Sequence, residues 1–398
     1  MSAALPLSHI RVLDLTRILS GPFCTMKLGD MGADVIKIEQ PGKGDDTRQW
    51  GPPFVRGESA YFLSVNRNKR SVTLNLKSAQ GKEILRKIIR RSDVIVENFR
   101  GGVMDSLGFG YKSVRRINPR IIYCSISGYG QTSSRSHKPS YDLIVQGESG
   151  LMDVTGFPEG PPVKAGISLA DVTAGMLAFE GILLALINRE RTGKGDQVDI
   201  SLLDGLLSLF AYQAQIALSS KQSVTRKGNR HPTITPYETF TVRDGYINVA
   251  VGSEAAWKSF CAAIGRVELS AGPRFRTNTD RVKHRDALER ILVPIMKSRR
   301  AAEWLRRFGR ADVPAGRINS IPEALRLPTV RERKMLRNIP HPAGGRITVV
   351  GSPIRLTGFP ASRISPPPLL GQHTGEVLAE LGYSRKQLAE LSRKEIIQ

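Results

Sequence analysis

A chain of 398 residues, 40% hydrophobic and 24% charged, has the composition of a globular protein of two or three domains, which excludes fibrous and low-complexity classes. Its three cysteines, Cys24, Cys124 and Cys261, are too few and too widely spaced for a disulfide framework or a thiolate metal site. Lys plus Arg number 59 against 36 acids, a formal charge of +23 that points toward polyanions, yet the bases are dispersed and no nucleic-acid-binding signature accompanies them.

The N-terminal stretch "MSAALPLSHIRVLDL" carries no leader pattern. No apolar run approaches the ~20 residues that span a bilayer. A cytoplasmic protein is expected, with no membrane partner. The opening then reads as a βαβ unit: a strand "IRVLDL", a helix around "CTMKLGDMGA" and a strand "DVIKIE". Glu39 ends the second strand, where dinucleotide folds carry an acidic ribose ligand. The turn "TRILSGPF" lacks G-x-G-x-x-G, so a nicotinamide or flavin site is not supported.

Further units follow: "SVTLNL", the helix "SAQGKEILRKIIRRS", "DVIVENF" and "RIIYCSISGYG". This alternation predicts a Rossmann-like α/β domain with a largely parallel sheet. The glycine-bearing "SISGYGQTSS" follows a strand, where ligand sites of α/β folds lie.

Next comes "GISLADVTAGMLAFEGILLAL", residues 166–186, with Asp171 between small residues and an apolar helix running to about Asn188. Two readings fit Asp171. It caps the helix by accepting a free amide, or it is a carboxylate placed for chemistry where the dipole favours negative charge. A strand "QVDISL" and one helix, "LDGLLSLFAYQAQIAL", come after it, then a polar linker, "SSKQSVTRKGNRHPTITP". Residues 237–319 hold a strand pair turning at Asp244 and Gly245, then several basic helices, a smaller α+β domain. The tail has a strand-like "GGRITVVGSPIRLTGFP" and an extended "SPPPLLGQHTGEVLAELGY" that enters a final helix. The expected division is residues 1–224 for the first part of the large domain, 225–325 for the small domain, and 326–398 as a return segment completing the large one.

Conventional catalytic patterns are missing. "GISLA" is not G-x-S-x-G, and neither H-E-x-x-H nor a P-loop occurs. The six histidines are scattered.

Taken together, "VLDLTRILSGPF", "LGDMGADVIKIEQPGKGDDTR", "NRNKRSVTLNLKS", "DVIVENFRGG", "YDLIVQGESGLM", "GISLADVTAGM" and "PPPLLGQHTGEVL" resemble the class III (CaiB/BaiF-type) coenzyme A transferases nearly end to end. The phrases "GDDTRQWGPPF", "IIYCSISGYGQT" and "RHPTITPYETF" are similar to the succinyl-CoA:glutarate group. The resemblance implies an interlocked-ring homodimer, acyl-CoA and carboxylic acid substrates, and neither a metal nor a tightly bound cofactor. It puts Asp171 at the position of the catalytic aspartate, which forms an acyl anhydride and then an aspartyl-CoA thioester. An unperturbed carboxyl pKa of ~3.9 would keep Asp171 ionised and nucleophilic at neutral pH. Amides at residues 128–130 are the expected oxyanion donors.

The resemblance also places CoA contacts at Leu19, Ser20, Leu74, Lys77, Asn98 and Phe99, with Tyr141 beside them. Gln40 and Ser106 stand where the formyl-type enzymes carry arginines, and Arg100 or Arg48 is the expected replacement. Arg48 and His231 are candidates for the acceptor's distal carboxylate. The formyl-type glycine loop is replaced by "VAVGSEAAW", which argues against oxalate or formyl substrates. Two alternatives are a racemase of the same fold, which would need a histidine where Tyr141 stands, and a non-catalytic basic protein binding polyanions.

Overall fold

Val12 and Leu13, Val35 and Ile36, Val94, Ile95 and Val96 are apolar runs without polar alternation, the pattern of strands covered on both faces. Each lies in a strand of the computed structural model, which describes residues 4–220, 224–359 and 364–398. Six strands make one sheet: β1 (Arg11–Asp14), β2 (Asp34–Glu39), β3 (Lys69–Thr73), β4 (Val94–Glu97), β5 (Ile122–Ser127) and β6 (Gln197–Ser201). Every neighbouring pair is parallel, in the order β3-β2-β1-β4-β5-β6. Leu13 at the centre faces Ile36 on one side and Ile95 on the other. The chain winds outward in both directions from β1 and β4, which is the doubly wound arrangement.

Two compact units divide the chain. The first contains the described residues of Met1–Ser149, Ala165–Leu218 and Pro328–Gln398; the second contains Gly150–Lys164 and those of Ser219–Leu327. The sequence reading kept residues 150–164 with the large domain. They group with the second unit because Arg226 reaches the Asp153 carboxylate at 3.0 Å and the Gly228 amide donates to the Gly156 carbonyl at 2.8 Å.

In the first unit the helix α1 (Ser20–Asp30) follows β1, α2 (Ala79–Arg90) follows β3, and α3 (Asp142–Glu148) follows β5. The helix α4 (Leu169–Thr192) has 24 residues and a mean hydropathy of 1.8 over its most apolar stretch, long and apolar enough to cross a bilayer. That corrects the expectation that no such run exists. Half of that stretch is buried within the molecule. Ala170, Ala174, Ala178 and Ile182 recur every fourth residue, and all are fully buried, as on one face of a core helix.

The single helix expected after β6 is two, α5 (Leu202–Leu209) and α6 (Tyr212–Ser220), bent by 80°. Ala211 between them has φ +40°, a left-handed value that no continuing helix accommodates. The tail likewise ends in two helices rather than one, Thr374–Glu380 and Arg385–Arg393, separated by Gly382 at φ +90°. Val377, Leu378, Leu391, Ile396 and Ile397 from this tail join Leu13, Ile36 and Ile95 in one core. The Ile396 carbonyl accepts the Asn75 amide beyond β3.

The second unit has its own core. Strands Tyr237–Val242 and Gly245–Ala250 pair antiparallel through the turn at Asp244 and Gly245, and Ala315–Arg317 adds a third strand. Trp257, Phe260, Phe308 and Trp304 stack in succession between its helices, with ring centroids 5.4–5.8 Å apart.

Candidate active site

Because the six strands are parallel, their carboxyl ends share one edge of the sheet. The loops leaving those ends enclose a cavity of about 1230 Å³. Leu15, Gln40, Leu74, Asn98, Gly128 and Leu202 each line it, one from the segment after each strand. The opening spans about 24 Å at ~4.8 Å per strand, and its centre is the switch point between β1 and β4, where open α/β sheets bind ligands.

All nine residues singled out from the sequence line this one cavity: Leu19, Ser20, Leu74, Lys77, Asn98, Phe99, Arg100, Tyr141 and Asp171. Their contributions differ. Lys77 and Arg100 are exposed and hold no ion-pair partner among the described residues, so both are cations free to meet an anionic ligand. Tyr141 is 63% exposed. Asn98 is spent on the scaffold: its side chain accepts the Arg17 amide at 2.9 Å and donates to the Arg17 carbonyl at 2.7 Å.

Asp171 is the third residue of α4, and the cap position belongs to Ser168. This corrects the capping reading. The carboxylate that takes a free amide of this helix is Asp142, whose Oδ1 accepts the Ala170 amide at 2.8 Å. Gln146, one turn along α3, donates to Asp142 Oδ2 at 2.6 Å and accepts the Ala165 amide at 2.8 Å. Together they stitch α3 to the segment leading into Asp171. The Asp171 carboxyl itself has no hydrogen bond among the described residues. Burial, and then the nearby Asp142 charge, push its pKa up to about 7. It therefore does not sit at the free-carboxyl value expected from sequence. Tyr61 shares that environment, its hydroxyl pushed up to about 12 by burial and then by Asp171.

Other expectations are corrected by the geometry. Arg48 donates to both oxygens of Glu39 at 2.7 Å, and its guanidinium lies 3.7 Å from the centre of the Phe62 ring. Its guanidinium is thus already committed to Glu39, and Arg48 is not among the residues that line the cavity. The same bonds, with one from Ser71 at 2.6 Å, fill Glu39, which is unlike a ribose ligand. His231 belongs to the second unit, with its ring against Tyr237.

Of the amides at residues 128–130, that of Gly130 already donates to Ser127 Oγ at 3.0 Å, and only Gly128 lines the cavity. Sequence reasoning missed a second set. The amides of Leu19, Ser20 and Gly21, entering α1, have no acceptor among the described residues. The Ser20 carbonyl packs against Gly175, one turn past Asp171, so closely that a Cβ there would lie 2.5 Å from it. The signal was Pro22, a residue tolerated in a helix's first turn, after the small pair Ser20 and Gly21. Such an entry leaves amides open beside the helix that carries Asp171.

Residues 7–374 match the family model described as CoA-transferase family III. A succinyl-CoA:glutarate CoA-transferase of Mus musculus is 42% identical over 376 residues, covering 94% of this chain and 86% of that protein. An acetyl-CoA:oxalate CoA-transferase of Acetobacter aceti is 43% identical over 355 residues, covering 89% of this chain and 90% of that protein. Among solved structures, a CAIB/BAIF family protein from Brucella suis superposes with a TM-score of 0.84 at 39% identity, covering 95% of this chain and all of that one.

Proposed function

This chain belongs to CoA-transferase family III and is a CoA-transferase, and we propose that it moves CoA from succinyl-CoA to a dicarboxylate such as glutarate, with Asp171 as nucleophile. One observation carries the assignment of Asp171: its unpaired carboxyl lies in the wall of a cavity large enough for an acyl-CoA, beside free amides at the start of α1.

The steps balance without water or ATP. An Asp171 oxygen attacks the thioester carbon of succinyl-CoA, and the tetrahedral adduct expels the CoA thiolate to leave a mixed anhydride. The thiolate attacks the Asp171 carboxyl carbon and releases succinate, leaving an aspartyl-CoA thioester. The acceptor carboxylate attacks that thioester, forms a new anhydride and frees the thiolate again. Attack of the thiolate on the acceptor's acyl carbon then returns Asp171 and delivers the new acyl-CoA. Each adduct carries an oxyanion that needs a donor. The open amides of Leu19 and Ser20, with that of Gly128 from the same cavity lining, are the candidates. A carboxylate with pKa near 7 is more basic, and so more nucleophilic, than a free one.

Similarity to the Mus musculus enzyme supports glutarate. Comparable similarity to the Acetobacter aceti enzyme supports a second substrate reading, acetyl-CoA with oxalate, against the expectation drawn from "VAVGSEAAW". A pool assay separates them. Wild type and Asp171→Ala each meet succinyl-CoA or acetyl-CoA with mixed carboxylic acids, and mass spectrometry reads the new thioesters. New species from wild type alone support the mechanism and name the acceptor; their formation by Asp171→Ala overturns it.

The reading includes an interlocked homodimer in the cytoplasm. Leu184 and Ile187 on α4, 68% and 69% exposed, and Leu218 on α6, 79% exposed, are apolar surface of the kind a subunit interface covers. Light scattering at a single subunit's mass would overturn the dimer.

A further inference from the structure

Residues 16–18, leading into α1, are held by side chains from strands β1 and β2 and from neighbouring loops. Lys37 Nζ donates to the Thr16 carbonyl at 2.7 Å and pairs with Asp45 Oδ2 at 2.9 Å, and both side chains are fully buried. Asp45 Oδ1 accepts the Ile18 amide at 3.2 Å, together with the Thr47 amide and hydroxyl at 3.0 and 2.8 Å. Asn98 grips Arg17 on both sides, and Asp14 takes the Thr16 amide at 2.8 Å. The segment so held is strained. Ile18 has φ +71°, left-handed backbone that a β-branched side chain strongly disfavours. Left to itself it would relax and carry Leu19 and Ser20 with it.

A buried ion pair is weak evidence for stability, since apolar residues of similar volume often serve as well. This one is tied instead to Thr16 and Ile18, two residues of the cavity wall. We propose that the Lys37–Asp45 pair is a positioning device, holding residues 16–20 in the strained shape that receives the acyl-CoA donor. The proposal rests on the reading of the cavity as the acyl-CoA site.

The test uses the full-length double variant Lys37→Met/Asp45→Asn, which leaves no unpaired charge buried, and the same protein carrying Ile18→Gly. Hydrogen exchange reads residues 16–21, calorimetry reads binding of CoA itself, and steady-state assays split KM from kcat. In the folded double variant, exchange at residues 16–21 should rise while β1 and β4 stay protected. The Kd for CoA should rise about ten-fold or more, and the KM for the donor by a larger factor than kcat falls. Ile18→Gly should restore part of the affinity, because glycine holds a positive φ without strain, a rescue that a merely structural role would not permit. Unchanged exchange at residues 16–21, or a Kd within about two-fold of wild type, overturns the positioning role. A wild type that does not bind CoA overturns the reading of the cavity instead, whatever the exchange shows. If the double variant does not fold, Asp45→Asn alone is read by the same three measurements.

Discussion

Asp142 caps the helix that carries Asp171 and at the same time raises the proton affinity of Asp171. Its Oδ1 holds the Ala170 amide at 2.8 Å, and its charge adds to the burial that pushes Asp171 up to about 7. One carboxylate thus fixes where the second lies and tunes its ionisation. Asp142→Asn keeps the acceptor and removes the charge. The activity profile should shift to lower pH by about one unit or less, since burial remains the larger cause. Asp142→Ala loses the cap and strands buried partners, and should cost about 1–3 kcal/mol in denaturant unfolding.

Only the ionised form of Asp171 attacks a thioester. With its pKa near 7, kcat/KM should rise with pH through about 7 and level off above it. A flat profile from pH 5 to 8 would mean that Asp171 stays at a free carboxyl's value.

The same shift carries a stability cost. A carboxyl raised from 3.8 to about 7 binds its proton more tightly when folded. Its contribution to stability therefore falls as pH rises through that window and stays lost above it. Asp171→Asn removes the charge. It should unfold at a higher temperature than wild type at pH 8, by an amount equivalent to about 1–3 kcal/mol, and the gap should close toward pH 4.

Gly175→Ala tests the contact between α1 and α4. Alanine favours a helix by about 1 kcal/mol over glycine. Here its Cβ would lie 2.5 Å from the Ser20 carbonyl oxygen, a backbone atom that no side-chain rotation can remove. The expected result is a net loss of about 1–3 kcal/mol and a raised KM for the acyl-CoA, as Ser20 is displaced from the cavity wall.

Lys77 and Arg100 line the cavity with no ion-pair partner among the described residues. Substituting either with alanine should raise the KM for the CoA donor by about 3–30-fold. The effect should shrink at high salt, because both groups are exposed.

What could be read from the chain alone was whatever neighbouring residues encode. Unbroken apolar runs such as Val94, Ile95 and Val96 marked the strands, and their alternation with amphipathic segments marked the parallel sheet. Quoted phrases spread over the whole length carried the family, and with it the position of Asp171. Nine residues as far apart as Leu19 and Asp171 were named as one site from those phrases and line one cavity. Local pattern could not reveal which polar groups would already be spent. Arg48 looked as available as Arg100 until Glu39 folded against it. Asp171 resembled a cap until Asp142, 28 residues before Ala170, took the Ala170 amide. Its raised pKa has the same origin. Burial and a neighbouring charge exist only after distant segments pack, and so does the strain at Ile18 that Lys37 and Asp45 restrain. Secondary structure follows from periodicity along the chain, whereas protonation and hydrogen-bond partners follow from which remote side chains arrive. Those the tertiary structure decided.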